Sequence, residues 1–240
     1  GNVVTALSKD EVRAAARRLR TDGVNSIAVC FLSAHVNGAH ERQARDIVRA
    51  EHPQCDVYLS SEVLPKIREY ERFSTTVVNA FLSPLLKNYL ARLGKELAAN
   101  GFKGQLFIMQ SNGGTVAPDV AGAMGCAALL SGPAAGVVAA NRIGELCGAK
   151  NVIGVDMGGT SYDVSLIHRG APSTRYGGWF NRHGVGLPML DIHTIGAGGG
   201  SIAWIDSGGA LRVGPQSAGA RPGPACYGFG GSEATVTDAC

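Results

Sequence analysis

The stretch Gly154-Val-Asp-Met-Gly-Gly-Thr-Ser-Tyr-Asp-Val-Ser-Leu166 constrains this chain more than any other. Val152, Ile153 and Val155 lead into Asp156, and Val164, Leu166 and Ile167 resume β-propensity after a glycine-rich turn. Gly158 and Gly159 permit positive φ and leave main-chain N–H groups free, so the spacing predicts a β-hairpin whose bend suits an anion. Asp156 and Asp163 stand at the two mouths of that bend. Two carboxylates beside a phosphate repel it unless a divalent cation lies between them, which points to a Mg²⁺-nucleotide. Asp156 is the first candidate for the metal, through a bound water, and Asp163 the second catalytic candidate. Gly158, Gly159, Thr160 and Ser161 are the candidates for phosphate. The plain alternative is an ordinary glycine turn flanked by solvated acids, with Asp163 capping it.

The elements around this hairpin alternate between helix and strand. Ser131 to Gly148 carries a cap-type Ser, a first-turn Pro and a terminal Gly, which predicts a helix feeding the hairpin. Ser8-Lys-Asp-Glu11 fits a capping box for a helix that stops at Thr21-Asp-Gly23. Ser26 to Leu32 reads as a buried strand, His40 to Glu51 as a helix, and Val57 to Leu59 as a short strand. The segment from Pro65 to Ala99 reads as two helices or one broken near Pro84, followed by a strand from Gln105 to Met109. Past Gly148 glycine becomes dense and helices vanish; Ser201 to Asp206 and Ala210 to Val213 form a second expected hairpin. This is α/β architecture, with boundaries expected as 1–112, a connecting helical segment 113–150, and 151–240.

Composition narrows the function classes. With 45% hydrophobic residues and a net charge of +3, the chain is that of a globular protein, without the basic clustering that nucleic acid or a membrane surface requires. The arginines 13, 17, 18 and 20 read as one solvated helix face. The uncharged run from Val120 to Ala140 has the length of a membrane span, yet Gly122, Gly125, Gly132 and Pro133 interrupt it. Six cysteines without a CxxC pair, mostly in apolar context, read as buried thiols of a reducing, cytoplasmic compartment.

Helix, short link, strand, DxGGTxxD-type turn and strand together resemble the second phosphate hairpin of the actin-like ATPases. Further motifs follow in one order: Ser60-Ser-Glu-Val-Leu-Pro65, Glu69-Tyr-Glu-Arg72, Ser74-Thr-Thr-Val-Val-Asn-Ala80, Met109-Gln-Ser-Asn-Gly-Gly114, Ser131-Gly-Pro-Ala-Ala-Gly136, Thr194 to Ala203 and Pro222 to Gly228. Together they resemble the hydantoinase A/5-oxoprolinase family over nearly the whole chain. The resemblance implies an actin-like (ribonuclease H-like) fold, with one partial lobe and the start of a second in an internal fragment. It further implies ATP and Mg²⁺ as cofactors, and a second large subunit of hydantoinase B type as partner. The implied activity is ATP-dependent opening of a cyclic amide such as hydantoin or 5-oxoproline through carbonyl phosphorylation. Relatives that carboxylate acetone or acetophenone supply the enzymatic alternative, and a nucleotide-driven switch without turnover is the alternative of another class. Tyr162 departs from the small hydroxyl residue usual at its place in the family pattern.

Other positions carry weaker signals. Gly196-Ala-Gly-Gly-Gly-Ser201 is too glycine-dense for bulk packing, so the backbone at Gly198, Gly199 and Gly200 is expected to approach a ligand or a neighbouring strand. Ser111-Asn-Gly-Gly114 follows a predicted strand, and loops at strand C-terminal ends of open α/β sheets face ligands, which makes Asn112 and Gly113 candidates. Asp191 and His193 share a strand face, but two ligands do not make a metal site. Glu69, Glu71 and Arg72 read as a solvated ion-pair face, and Cys226 as a structural thiol.

Overall fold

The computed structural model describes residues 2–240. In chain order the elements are α1 (Lys9–Thr21), β1 (Ser26–Val29), α2 (Ala39–Glu51), β2 (Asp56–Leu59), α3 (Ser60–Val63), α4 (Glu69–Ala99), β3 (Ile108–Met109), β4 (Thr115–Val116) and α5 (Pro118–Ala123). They continue with α6 (Ser131–Leu146), β5 (Val152–Met157), β6 (Tyr162–His168), β7 (Ala171–Pro172), β8 (Thr174–Phe180), β9 (His183–Leu190), β10 (Ile192–Ile195), β11 (Ser201–Ile205) and β12 (Leu211–Ser217). The chain forms two compact units, one built from the residues up to Ser131 with Arg175–Met189, the other from Gly132–Thr174 with Leu190–Cys240. No helix among the described residues is long and apolar enough to cross a membrane.

In the first unit Ser8 caps α1, its hydroxyl accepting from the Glu11 N–H at 3.4 Å. β1 and β2 pair in parallel, from Ser26 opposite Asp56 to Val29 opposite Leu59. Their inner residues Val29 and Leu59 pack with Ala44 of α2 and with Leu7, Val12 and Phe31. α4 runs unbroken for 31 residues through Pro84, where a break was expected. Proline has no N–H, so the Ala80 carbonyl four residues earlier loses its helical donor. The Ser26 hydroxyl of β1 replaces it at 2.6 Å, and the helix continues. The strand expected from Gln105 shrinks to Ile108–Met109, because its ladder among the described residues is the two-residue pairing with Thr115–Val116.

Arg72 is not on a solvated face. It is fully buried, whereas Glu69 and Glu71 stay partly exposed. Its guanidinium donates to the carbonyls of Lys66 (2.9 Å) and Phe31 (3.1 Å), to Glu69 (3.1 Å) and to the Ser60 hydroxyl (3.2 Å). That hydroxyl donates in turn to the buried Glu41 at 2.6 Å, which also accepts the N–H groups of Phe31 and Ser61 at 2.8 Å. Loop ends with leftover backbone groups thus recruit both charges inward, and burial is tolerable because Arg72 is ion-paired with Glu69 and Glu41 accepts three hydrogen bonds. Further along α4, buried Asn79 donates to the Ala123 carbonyl and accepts from the Cys126 N–H.

The β8–β9 hairpin turns at Asn181 and Arg182, whose φ values of 45° and 70° fit a two-residue mirror-image turn. Val185 and Met189 are buried beneath it, and the Gly186 N–H donates to Thr75 Oγ1 at 2.9 Å.

In the second unit β5, β6 and β10 form an antiparallel sheet in the order β10-β6-β5, with β7 beside β6. Gly136, Ala140 and Gly144 recur at intervals of four along α6 and face Asp156, Gly154 and Val152 of β5. A Cβ on Gly144 would stand 2.8 Å from the Val152 side chain, and one on Gly154 would stand 3.2 Å from the Ala140 methyl. Ala134, Val137, Leu190 and Ile192 complete this core. β11 and β12 form the expected second hairpin, with a register shift between Ser201 and Ala203. The β-branched segment Thr235 to Asp238 forms one bridge, Ile202 opposite Thr235, and then a 3₁₀ turn at Thr237–Ala239. Asp238 causes the bend, since its carboxylate accepts from the Thr235 N–H and hydroxyl and from the Cys226 N–H.

Candidate functional site

The β5–β6 turn comprises Gly158 to Ser161, between Met157 and its partner Tyr162. Gly158 donates its N–H to the Ser161 carbonyl at 2.9 Å. The glycine loop lies behind this turn: the Gly199 N–H donates to the Gly158 carbonyl (2.9 Å) and the Gly200 N–H to the Gly159 carbonyl (2.7 Å). In a planar trans peptide the carbonyl and the following N–H point opposite ways. Fixing the carbonyls of Gly158 and Gly159 against the loop therefore directs the N–H groups of Gly159 and Thr160 away from it. Among the described residues, the N–H groups of Gly159, Thr160 and Ser161 take no backbone partner. Adjacent N–H groups converging in a turn form a nest for an anion. Gly198 must be glycine, since a Cβ there would stand 2.6 Å from the Gly158 oxygen.

Asp156 lies directly opposite Asp163 in the ladder. Such neighbours share one face with Cβ atoms about 5 Å apart, and like charges there are destabilising. Asp163 is oriented by the Thr194 hydroxyl of β10, which donates to it at 2.6 Å. A cavity of 140 Å³ opens beside the pair, lined by Pro133, Gly136, Asp156, Asp163, Ser165 and Ile192. A Cβ on Gly136 would lie 3.5 Å from the Asp156 carboxylate. The donor set is all oxygen, two carboxylates, which suits a hard cation that keeps several waters. No group of three His, Cys, Asp or Glu that could hold a metal occurs among the described residues, so Asp191 and His193 gain no third ligand.

Asp156, Asp163, Gly158, Gly159, Thr160, Ser161, Gly198, Gly199 and Gly200 thus come together in one unit. Asn112 and Gly113 belong to the other unit, in the turn joining β3 to β4. Asn112 accepts from the Gly114 N–H at 2.8 Å, and Gly113 takes φ +82°. The 690 Å³ cavity beside β2 in that unit is larger, but its charges are largely paired already, Arg45 with Glu62 and Lys87 with Asp56. Volume does not mark the chemistry here.

Sequence reading missed the loop clamp formed by Asp238. Its carboxyl is held well below the usual carboxylate range, chiefly by the Cys226 N–H and then by the Thr235 hydroxyl and N–H. A carboxylate closing a short TVTD segment is the signal that could have found it. The same carboxylate, through a hydrogen bond with the Cys226 side chain, pushes that thiol up. Cysteine burial is also more mixed than expected: Cys55 and Cys126 are buried, but Cys147, Cys226 and Cys240 are exposed. Burial pushes Cys126 up to about 12 and Cys30 up to about 11.

The sequence profile described as Hydantoinase/oxoprolinase matches residues 72–240, and the Hydantoinase/oxoprolinase N-terminal region matches residues 1–52. Caprolactamase subunit alpha of Pseudomonas jessenii is 43% identical over 239 residues, covering 100% of this chain and 34% of that subunit. The 5-oxoprolinase of Saccharomyces cerevisiae is 39% identical over 251 residues, 100% of this chain and 18% of that enzyme. The crystal structure of the ATP-dependent caprolactamase from Pseudomonas jessenii superposes with a TM-score of 0.83 at 40% identity, over 100% of this chain and 35% of that one. The nucleotide-free structure of acetone carboxylase, from work on ATP-dependent acetone carboxylation, does so at 0.79 and 30%, over 98% and 34%. The chain therefore spans about a third or less of the length of these relatives. Its mixed α/β structure is consistent with an actin-like ATPase lobe. Two adjoining profiles and whole-chain likeness to these proteins place this chain in the hydantoinase/oxoprolinase family.

Proposed function

We propose that this chain is the phosphate-gripping part of an ATP-dependent amidohydrolase subunit that opens a cyclic amide. The observation that carries the reading is the cross-strand pair Asp156 and Asp163 beside a turn with unpaired N–H groups. A fold gains nothing from two opposed carboxylates unless a cation joins them, and a nest of N–H groups beside them suits phosphate. ATP use is supported by the ATP-dependent caprolactamase that the chain resembles at 40% identity.

When bound, Mg²⁺-ATP supplies the phosphoryl group that turns a poorly electrophilic amide carbonyl into one that water attacks. This chain's residues bind and position. The N–H groups of Gly159, Thr160 and Ser161 hold phosphate oxygens, and the Thr160 hydroxyl adds a further contact. Asp156 holds a metal-bound water, while Asp163, fixed by Thr194, lends the second negative charge. Gly198, Gly199 and Gly200 keep the turn in place from behind, leaving the phosphate contacts to the turn itself. We assign Asn112 and Gly113 a lesser role as a loop that ligand can reach. A second large subunit of hydantoinase B type is the proposed partner, supported by relatives that are themselves subunits. Free thiols support a reducing, cytoplasmic setting.

A carboxylase subunit is the second reading, favoured by the acetone carboxylase likeness. The test is ATP turnover by the complete protein with its partner subunit, with and without hydantoin, 5-oxoproline and small ketones. Stimulation by the cyclic amides and a fall of roughly 10²–10³-fold in Asp156→Ala are expected. Stimulation by ketones alone selects the carboxylase, and full turnover in Asp156→Ala removes the site assignment.

A further inference from the structure

We propose that the cleft between the start of α4 and the β8–β9 hairpin binds the flat ring of a small cyclic amide bearing a carboxylate; the choice of ring class rests on the functional reading above. The cleft measures 320 Å³ and is lined by Lys66, Arg68, Tyr70, Tyr176, Trp179 and Gly184, among others. Small-molecule sites occupy roughly 300–1,000 Å³. The Tyr70 and Trp179 rings lie 6.0 Å apart at 32°, and the Lys66 ammonium stands 4.0 Å over the Tyr176 ring. These aromatic side chains are not core: Tyr70, Trp179 and Tyr176 are 55%, 71% and 76% exposed.

Exposed rings would ordinarily be mobile, but here their support is fixed. The hairpin is held from below by buried Val185 and Met189 and by the bond from the Gly186 N–H to Thr75. Ordering its rings around a ligand therefore costs little. Gly184 keeps the gap between them open, since a Cβ there would stand 3.3 Å from the Tyr70 ring. At the mouth, Arg68 has φ +79° and ψ 98°, a backbone conformation that L residues rarely hold and that persists where surroundings enforce it, often at ligand sites.

Charge selects among flat ligands. Arg68 is near Glu71 at 3.7 Å, but Lys66 has no carboxylate partner among the described residues. An uncompensated ammonium beside aromatic faces complements a planar ring with an anionic group. A neutral ring would use the faces and leave the ammonium unpaired.

Calorimetric titration of the complete protein, without nucleotide, with 5-oxoproline and with neutral 2-pyrrolidone tests this. 5-Oxoproline should bind the tighter of the two. Trp179→Ala and Tyr176→Ala should each weaken both probes by roughly tenfold. Lys66→Gln should weaken 5-oxoproline by roughly tenfold and leave 2-pyrrolidone unchanged. Tyr176 and Lys66 are exposed, so these two variants decide the matter even if Trp179→Ala melts early. No binding of 5-oxoproline, or affinities unchanged in Tyr176→Ala and Lys66→Gln, overturns the proposal. Variant-sensitive binding without any lactam-stimulated ATP turnover supports the cleft and overturns the catalytic reading. Stimulated turnover at unchanged KM in Tyr176→Ala overturns the cleft and leaves the catalytic reading intact.

Discussion

Two groups of charged residues, both within family-matched sequence, have opposite settings. Around Arg72 and Glu41 both charges are fully buried and each is met by hydrogen-bonding partners, the Ser60 hydroxyl among them. Around Asp156 and Asp163 two like charges face each other at a cavity, next to N–H groups without backbone partners. The first arrangement spends its polar groups on holding loops together, and nothing is left for a ligand. The second keeps polar groups in reserve at some expense in stability, as the proposed phosphate site requires.

The sharpest way to break this contrast is at Arg72. Arg72→Ala takes a buried donor from the Phe31 and Lys66 carbonyls and from the Ser60 hydroxyl and leaves a cavity, and unfolding in urea should show a loss of about 3–5 kcal/mol. A loss near zero would mean that the buried set is as dispensable as a surface pair. Gly198→Ala comes next. Its new methyl must displace the Gly158 and Thr160 backbone, so a loss of about 1–3 kcal/mol is expected. Nucleotide turnover should fall with it, because the loop sets the direction of the N–H groups.

Asp156→Asn should do the reverse. Relieving the opposed charges should raise the unliganded protein's stability by about 0.2–1 kcal/mol, read from the same urea midpoints, while turnover drops. A destabilised Asp156→Asn would make the pair structural and erase the contrast.

The smallest effect is local to Asp238. A depressed folded-state pKa stabilises above the unfolded value of about 3.9 and ceases to do so as pH falls through the folded value. Amides of Ala225 and Cys226 should therefore stay protected from hydrogen exchange from pH 5 to 8. Asp238→Asn should lose that protection at neutral pH, and equal protection in the variant would assign the loop's order to other contacts.

The hairpin was legible because its signals are local: glycine at the bend, β-branched residues on both arms and acids at fixed offsets. Its support was not. Gly198 to Gly200 could be read as needing close approach, but only the three-dimensional arrangement shows that the neighbour is the Gly158–Ser161 turn. Pro84 gave the right local warning and the wrong outcome, because the rescue comes from Ser26, 54 residues away in sequence. Arg72 followed the same pattern, with helix spacing that suited a surface ion pair and partners at Phe31 and Lys66 that no periodicity reveals. Thr235 to Asp238 has strand-like composition, and one carboxylate reaching back to its own backbone overrode it.

The row of Gly136, Ala140 and Gly144 on α6 sets how this region can evolve. Helix and strand lie so near that a single methyl at Gly144 meets Val152, which leaves little neutral drift at that position. A lineage could exchange loop length or surface charge freely, yet enlarging this row would lever the backbone carrying Asp156 away from its partner. Selection on a chemically silent helix face is thereby tied to the spacing of two acids.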